Sequence, residues 1–184
     1  MYNPSHDIER ILVDQEQLDT IISDLAARVS ADYADHTDST VLALPVLKGA
    51  IFFATAFLQK LTIPVEIDFV SASSYRECAQ AGELTLGTLP QRNDWANVDV
   101  LLIEDIVDTG NTLSAMVKEF HTLGAKSVRV VSLLDKPSRR RVDFTADYIG
   151  LEVPNAFVIG YGLDYDEKYR NLPYIGILKA EIYE

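Results

Sequence analysis

The sequence predicts an α/β fold: a mostly parallel central sheet flanked by helices, with a small C-terminal lobe capping the end of the sheet. Three observations carry this expectation. Apolar runs of strand length, clearest in Val100-Leu101-Leu102-Ile103, are continuous rather than alternating, as strands buried on both faces require. Segments with helical spacing separate these runs, and that alternation is the pattern of crossover-connected parallel strands. Beyond Leu134 it gives way to short stretches punctuated by Pro137, Pro154 and Pro173, which sets the C-terminal part of the chain apart.

Taken in order, Ile8 to Val13 reads as a short strand. Asp14 and Gln17 have the spacing of a reciprocal helix cap, and Leu18, Ile21, Ile22, Leu25 and Val29 then recur at helical spacing, giving a helix with one face for the sheet. Val41 to Val46 is the next strand; Lys48-Gly49 turns it into an apolar helix from Ala50 to Lys60. Val65 to Ser71 starts another strand, with Leu84 to Leu89 as its hairpin partner across a polar loop from Ser74 to Gly82. After the strand around Val100 to Ile103, a helix is expected from about Leu113 to Leu123, ended by Gly124, and then a strand from Ser127 to Leu134. In such sheets ligands bind outside the carboxyl ends of the strands.

At 184 residues the chain is read as one domain, 1–184, with the sheet core at about 8–135 and the lobe mainly from 136–184. Its longest apolar run, near Ala50 to Leu58, falls well short of the ~20 residues a membrane-spanning helix needs, and MYNPSHDIER contains no apolar signal segment. A cytoplasmic location is therefore expected. The single Cys78, read as a loop thiol, excludes an intrachain disulfide framework, and His6, His36 and His121 lack metal-ligand spacing. A net charge of −12 disfavours nucleic acid and anionic membranes as partners. A polyanionic substrate would have to be attracted locally, and Lys48, Lys136, Arg139, Arg140 and Arg170 are the available cations.

The segment Val98 to Ser114, VDVLLIEDIVDTGNTLS, concentrates the chemistry. Glu104 and Asp105 stand at the carboxyl end of a buried strand, and Asp108, Thr109, Gly110, Asn111 and Thr112 form a turn that opens a helix. Successive backbone N–H groups in such a turn, aided by the helix dipole, can hold a phosphate. The acidic pair suits ribose hydroxyls or Mg²⁺. Turn chemistry and helix capping alone would account for Asp108 and Thr109, but not for two adjacent acids, a two-residue apolar spacer and this turn after a buried strand.

The apolar strand, the two acids, the spacer and Asp-Thr-Gly-Asn-Thr together resemble the signature of the phosphoribosyltransferases that use 5-phosphoribosyl-1-pyrophosphate. Leu47-Lys48-Gly49-Ala50, Ser73-Ser74-Tyr75 and Phe157-Val158-Ile159-Gly160-Tyr161-Gly162-Leu163-Asp164-Tyr165, with Arg170 after it, are similar in order and spacing to the purine-salvage branch. The resemblance runs from about Ile8 to Ile177 and is weakest from Arg76 to Asn97. It implies the type I phosphoribosyltransferase fold and transfer of phosphoribosyl to hypoxanthine or guanine, giving IMP or GMP and pyrophosphate. Mg²⁺ is the implied cofactor, with Glu104, Asp105 and Asp164 as its carboxylates. The 5′-phosphate falls to Asp108 through Thr112, and Asp108 matches the family's general base near purine N7. Lys48 and Gly49 match the pyrophosphate loop, where a cis peptide before the lysine is frequent, and Arg170 a further pyrophosphate contact. Lys136, Phe157, Val158 and Asp164 match the purine site: an amine for the 6-oxo group, a stacking ring, a backbone edge, and a carboxylate close by. Ser74 and Tyr75 match a loop that closes over the reacting centre. The tyrosines at 161, 165, 169 and 174 are expected to pack or form an interface, and a homodimer or homotetramer is implied.

Two alternatives stand beside this reading. The residues favour 6-oxopurines without ranking them, so a xanthine-preferring transferase fits the same pattern. A non-catalytic sensor of phosphoribosyl pyrophosphate is the other, but a nucleic-acid-binding regulator calls for a basic face or an added domain, and this acidic chain has neither.

Overall fold

The computed structural model describes residues 4–73 and 85–183. The loop expected from Ser74 to Gly82, with Ser74, Tyr75 and Cys78, lies outside the described residues. Strand β1 (Ile8–Val13) follows a single helical turn, α1 (Pro4–Asp7). Helix α2 (Gln15–Asp32) opens on the expected cap: Gln17 N donates to Asp14 Oδ1 and Asp14 N donates to Gln17 Oε1, both at 2.9 Å. Strand β2 (Thr40–Leu47) leads through Lys48-Gly49 into α3 (Ile51–Leu58).

The single strand expected from Val65 is divided into β3 (Glu66–Ile67) and β4 (Val70–Ser73). Both run parallel to β2, β3 beside Leu42 and Ala43 and β4 beside Val46 and Leu47. Between them the Asp68 carboxylate accepts from Phe69 N at 2.8 Å, a local side-chain bond that takes this N–H from the ladder, while Asp68 N still donates to the Ala43 carbonyl. Strand β5 (Thr85–Thr88) pairs antiparallel with β4, as the hairpin reading expects.

Strand β6 (Val98–Val107) is longer than its apolar run, so Glu104 and Asp105 lie within it rather than past its end. Helix α4 (Asn111–Thr122) buries Leu113, Met116 and Phe120. Gly124, at φ +91°, turns the chain out of it into β7 (Ser127–Asp135). The main sheet has the order β5-β4-β2-β6-β7, continued by β8 (Tyr148–Glu152), which is parallel to β7. The segment after Leu134 thus gives one strand to the main sheet. A separate small sheet has the order β1-β10-β9, from β9 (Val158–Ile159) and β10 (Ile175–Leu178), so the N-terminal strand joins the C-terminal segment. The chain continues into α5 (Ala180–Tyr183).

Alternation along the strands sorts side chains into two cores. Val41, Ala43, Leu101, Ile103, Val131 and Leu133 face α2 and α3, which contribute Leu18, Ile22, Leu25, Phe53 and Phe57. Leu42, Leu44, Val100, Leu102 and Val130 face the other way, against Met116 and Phe120 of α4 and Trp95. Helices on both faces explain why β2, apart from its first residue, and the Val100-Leu101-Leu102-Ile103 run of β6 are continuously apolar. Among the described residues no helix is long and apolar enough to cross a membrane.

Candidate active site

Strands β2, β6 and β7 are parallel neighbours, so the segments at their carboxyl ends lie side by side. Lys48-Gly49, the turn 108–110 and Lys136 are brought together this way from three distant parts of the sequence. The C-terminal segment closes over the same end. The peptide between Leu47 and Lys48 is cis, the form that is frequent before the lysine of this loop and that the sequence left open. A Cβ on Gly49 would stand 1.9 Å from Asp105 Oδ2, so a side chain there would have to push the Asp105 carboxylate aside. A Cβ on Gly162, which has φ +108°, would stand 1.9 Å from the Gly49 carbonyl oxygen. Asp105, Gly49 and Gly162 therefore form one stacked contact across three segments; glycine is required at position 162, where the neighbour is backbone and φ is positive, whereas a side chain at position 49 would displace the end of Asp105.

Glu104 and Asp105 are half-buried neighbours. Burial raises both carboxyls; the charge on Asp105 adds to the rise at Glu104, and Asp105 is pushed up to about 6 although Ile106 N donates to its Oδ1 at 2.8 Å. Two crowded carboxylates that resist ionisation together suit a cation or hydroxyl donors. Among the described residues no group of three or more His, Cys, Asp or Glu side chains is arranged to hold a metal ion. Mg²⁺ does not require one, being usually held by one or two carboxylates together with substrate phosphates and water. The hard oxygen donors of Glu104, Asp105 and Asp164 fit that manner of binding.

The turn after β6 opens α4 with Gly110 as its cap residue, at φ +82° and with no side-chain capping bond. Thr109 Oγ1 accepts from Asn111 N at a long 3.4 Å. Uncapped N–H groups at a helix start are suited to an anion. A clamp absent from the sequence reading supports this turn from behind. Arg140 Nη1 donates to the Asp108 carbonyl at 2.6 Å and to the Val107 carbonyl at 3.2 Å, while its Nη2 is paired with the buried Asp135 carboxylate. Arg140, expected among the cations available to a polyanion, is instead engaged with the protein's own loop. Its sequence signal, one arginine of three in a row, does not distinguish it from Arg139 and Arg141.

Three of the other cations also have partners. Arg139 Nε is 3.1 Å from Asp108 Oδ1; Lys48 Nζ is 3.0 Å from Glu167 Oε2; Arg170 Nη2 is 2.8 Å from Asp164 Oδ1, and its Nη1 donates to the Gly162 carbonyl at 2.8 Å. Asp164 in turn accepts from Glu167 N at 2.9 Å. Lys136 is half-buried; burial lowers its amine below the ordinary lysine range, against the opposing pull of Asp108.

Asp108, Lys136, Arg139, Phe157, Val158 and Asp164 line a cavity of about 500 Å³, within the usual range for a small-molecule site. Ile106, Leu163 and Tyr183 complete its apolar wall. Ile106 was visible in the sequence only as half of the spacer, and Tyr183 lies beyond the stretch that carries the resemblance. The tyrosines expected to pack do so: Tyr169 is buried with its hydroxyl donating to Asp7 at 2.7 Å, and Tyr165 and Tyr174 join the apolar cluster under the small sheet.

Fold and site together define a phosphoribosyltransferase, and the chain belongs to that family, whose phosphoribosyl transferase domain matches residues 11–166. Its relatives place it in the hypoxanthine-guanine branch. It is 44% identical over 180 residues to the hypoxanthine-guanine phosphoribosyltransferase of Bacillus subtilis, covering 97% of this chain and 98% of that protein. It is 42% identical over 181 residues to the enzyme of the same name from Streptococcus thermophilus, covering 96% and 97%. A crystal structure of a hypoxanthine phosphoribosyltransferase from Staphylococcus aureus superposes with a TM-score of 0.89 at 37% identity, over 100% of this chain and 99% of that one.

Proposed function

We propose that this protein salvages 6-oxopurines, transferring phosphoribosyl from 5-phosphoribosyl-1-pyrophosphate to hypoxanthine or guanine and releasing pyrophosphate. The observation that carries this reading is the single cavity that unites Asp108, Lys136, Phe157, Val158 and Asp164 at the carboxyl end of the sheet. In the reaction purine N9 attacks the anomeric carbon as the bond to pyrophosphate breaks, so positive charge grows on the ribose ring and negative charge on the leaving group. Phe157 stacks on the base, and the Val158 backbone meets its edge. Lys136 donates to the 6-oxo group; adenine carries an amino donor there and is disfavoured. Asp108 takes the N7 proton, a role that depends on position more than on a large pKa shift.

The N–H groups and hydroxyls of 108–112 hold the 5′-phosphate, and Glu104 and Asp105 engage the ribose hydroxyls. Lys48, Gly49 and Arg170 receive the pyrophosphate, Lys48 and Arg170 exchanging their carboxylate partners for it. Glu104, Asp105 and Asp164 are the residues for Mg²⁺, which when bound offsets charge on the leaving group. Ser74 and Tyr75 complete the proposal as a cover over the centre. Ile51, Phe52, Ile67 and Phe69 are large exposed apolar side chains in the single copy, a feature that favours a homo-oligomer and that light scattering tests.

The functional test is an ultraviolet assay with phosphoribosyl pyrophosphate and Mg²⁺, offering hypoxanthine, guanine, xanthine and adenine separately. Nucleotide is expected from the 6-oxopurines and not from adenine. Turnover of xanthine alone would replace the proposed substrates, and use of adenine would remove Lys136 from the base site.

A further inference from the structure

We propose that Tyr183 is a positioning residue of the purine site, its ring backing Phe157 and fixing the plane on which the base stacks. The inference rests on the base-site reading above and extends it to a residue outside the family-like segments. The Tyr183 and Phe157 rings are stacked, with centroids 4.9 Å apart and planes 26° from parallel. Tyr165 meets Phe157 edge-on, at 5.5 Å and 89°. Phe157 is the last residue of an irregular segment before β9. Two neighbouring rings hold its side chain from different sides. Tyr183 also lines the cavity with Asp108, Lys136 and Asp164, yet is 37% exposed, so it reaches the site from outside rather than belonging to the core.

Tethers bring it there. A four-residue helix is not stable alone, and α5 is held by what surrounds it. Leu178 N donates to the Phe157 carbonyl at 2.8 Å, Lys179 N to the Asp7 carbonyl at 3.0 Å, and Ile182 N to the Lys179 carbonyl at 3.1 Å. Ile182 packs on the apolar cluster of Ile159, Tyr169 and Leu178. The backbone contact that links β10 to residue 157 thus leads, within five residues, to the ring that stacks on its side chain. Aromatic pairs in this geometry add attraction beyond the area they bury, and a ring held in place before the ligand arrives loses less freedom on binding.

The test compares steady-state kinetics of the wild type, Tyr183→Ala and Tyr183→Phe with hypoxanthine and phosphoribosyl pyrophosphate varied in turn. Tyr183→Ala is expected to raise KM for hypoxanthine roughly three- to tenfold, the scale of one aromatic pair, and to leave KM for phosphoribosyl pyrophosphate within about twofold. Tyr183→Phe keeps the stack and is expected to restore the wild-type value. An unchanged KM for hypoxanthine would overturn the proposal, as would an equal rise in both constants, which marks a purely structural role. A lowered KM would also overturn it, since Tyr183 would then occupy the place of the base. A wild type that makes no nucleotide counts against the functional reading itself. Calorimetric titration of the same three proteins with IMP then decides the role of Tyr183: weaker binding by Tyr183→Ala alone supports it, and equal behaviour overturns it.

Discussion

Asp108 combines three demands on one residue. It lines the cavity, its carbonyl accepts from Arg140, and its side chain already holds Arg139. Asp108→Asn keeps the shape and removes the proposed base, so turnover is expected to fall at least about 100-fold while calorimetric binding of phosphoribosyl pyrophosphate stays close to wild type. Equal loss of both would assign Asp108 to loop structure instead. The two crossing glycines give a sharper contrast. A Cβ on Gly49 meets the end of the Asp105 side chain, which can swing aside, so Gly49→Ala is expected to reduce kcat/KM strongly with little change in the urea midpoint. A Cβ on Gly162 meets the Gly49 backbone, at a φ that only glycine adopts readily. Gly162→Ala should therefore cost about 1–3 kcal/mol of stability as well as activity, read from the same pair of measurements.

Among the elements, α2 and the turn after β6 show how local chemistry serves different ends. The Asp14–Gln17 box satisfies N–H groups at the start of α2, and neither residue lines the cavity. Asp14→Ala is expected to cost about 0.5–2 kcal/mol in chemical denaturation and to leave the kinetic constants unchanged. Helix α4 lacks such a cap, and its opening turn is steadied by Arg140 from another element. Removing that guanidinium strands the buried Asp135 carboxylate. Arg140→Ala is accordingly expected to destabilise by about 3–5 kcal/mol and to raise KM for phosphoribosyl pyrophosphate more than KM for the base. If the two constants rose together, Arg140 would be a general support of the fold rather than of this turn.

At the scale of the whole molecule, the end of the sheet opposite the cavity is closed by a polar cluster around Asp99. Burial works against its ionisation, but hydrogen bonds from Ser127, Ser39 and His36 outweigh that and hold the carboxyl below the usual range. Those bonds join β6 to the start of β7 and to the residues before β2. A group whose native pKa is depressed contributes stability that is present above its unfolded pKa, about 3.9, and is lost as the pH falls through the native value. Wild type is therefore expected to be more stable than Asp99→Asn at neutral pH, with the gap narrowing below about pH 4 in urea titrations. A constant gap would mean that the hydrogen bonds matter only through their geometry.

Much of this protein was legible in its sequence because the signals are local. The apolar continuity of β2 and β6 required burial on both faces, the Asp14–Gln17 spacing gave a cap, and Gly124 gave a helix end. The acidic pair and the turn from Asp108 to Thr112 likewise lie on consecutive residues, so their chemistry could be read before their geometry. What depended on long-range contact could not. Nothing in the local pattern assigned β8 to the main sheet, joined β1 to β10, or divided the strand at Asp68. The roles of Arg140, Gly162 and Tyr183 were set by groups distant in the chain: the carbonyls of 107 and 108, the oxygen of Gly49 and the ring of Phe157. The sequence by itself determined the fold class and the turn proposed to hold a phosphate, since periodicity and turn chemistry act within a few residues. Only the tertiary structure decided which side chains meet around the cavity, because that follows from strand order and close packing between segments far apart in the chain.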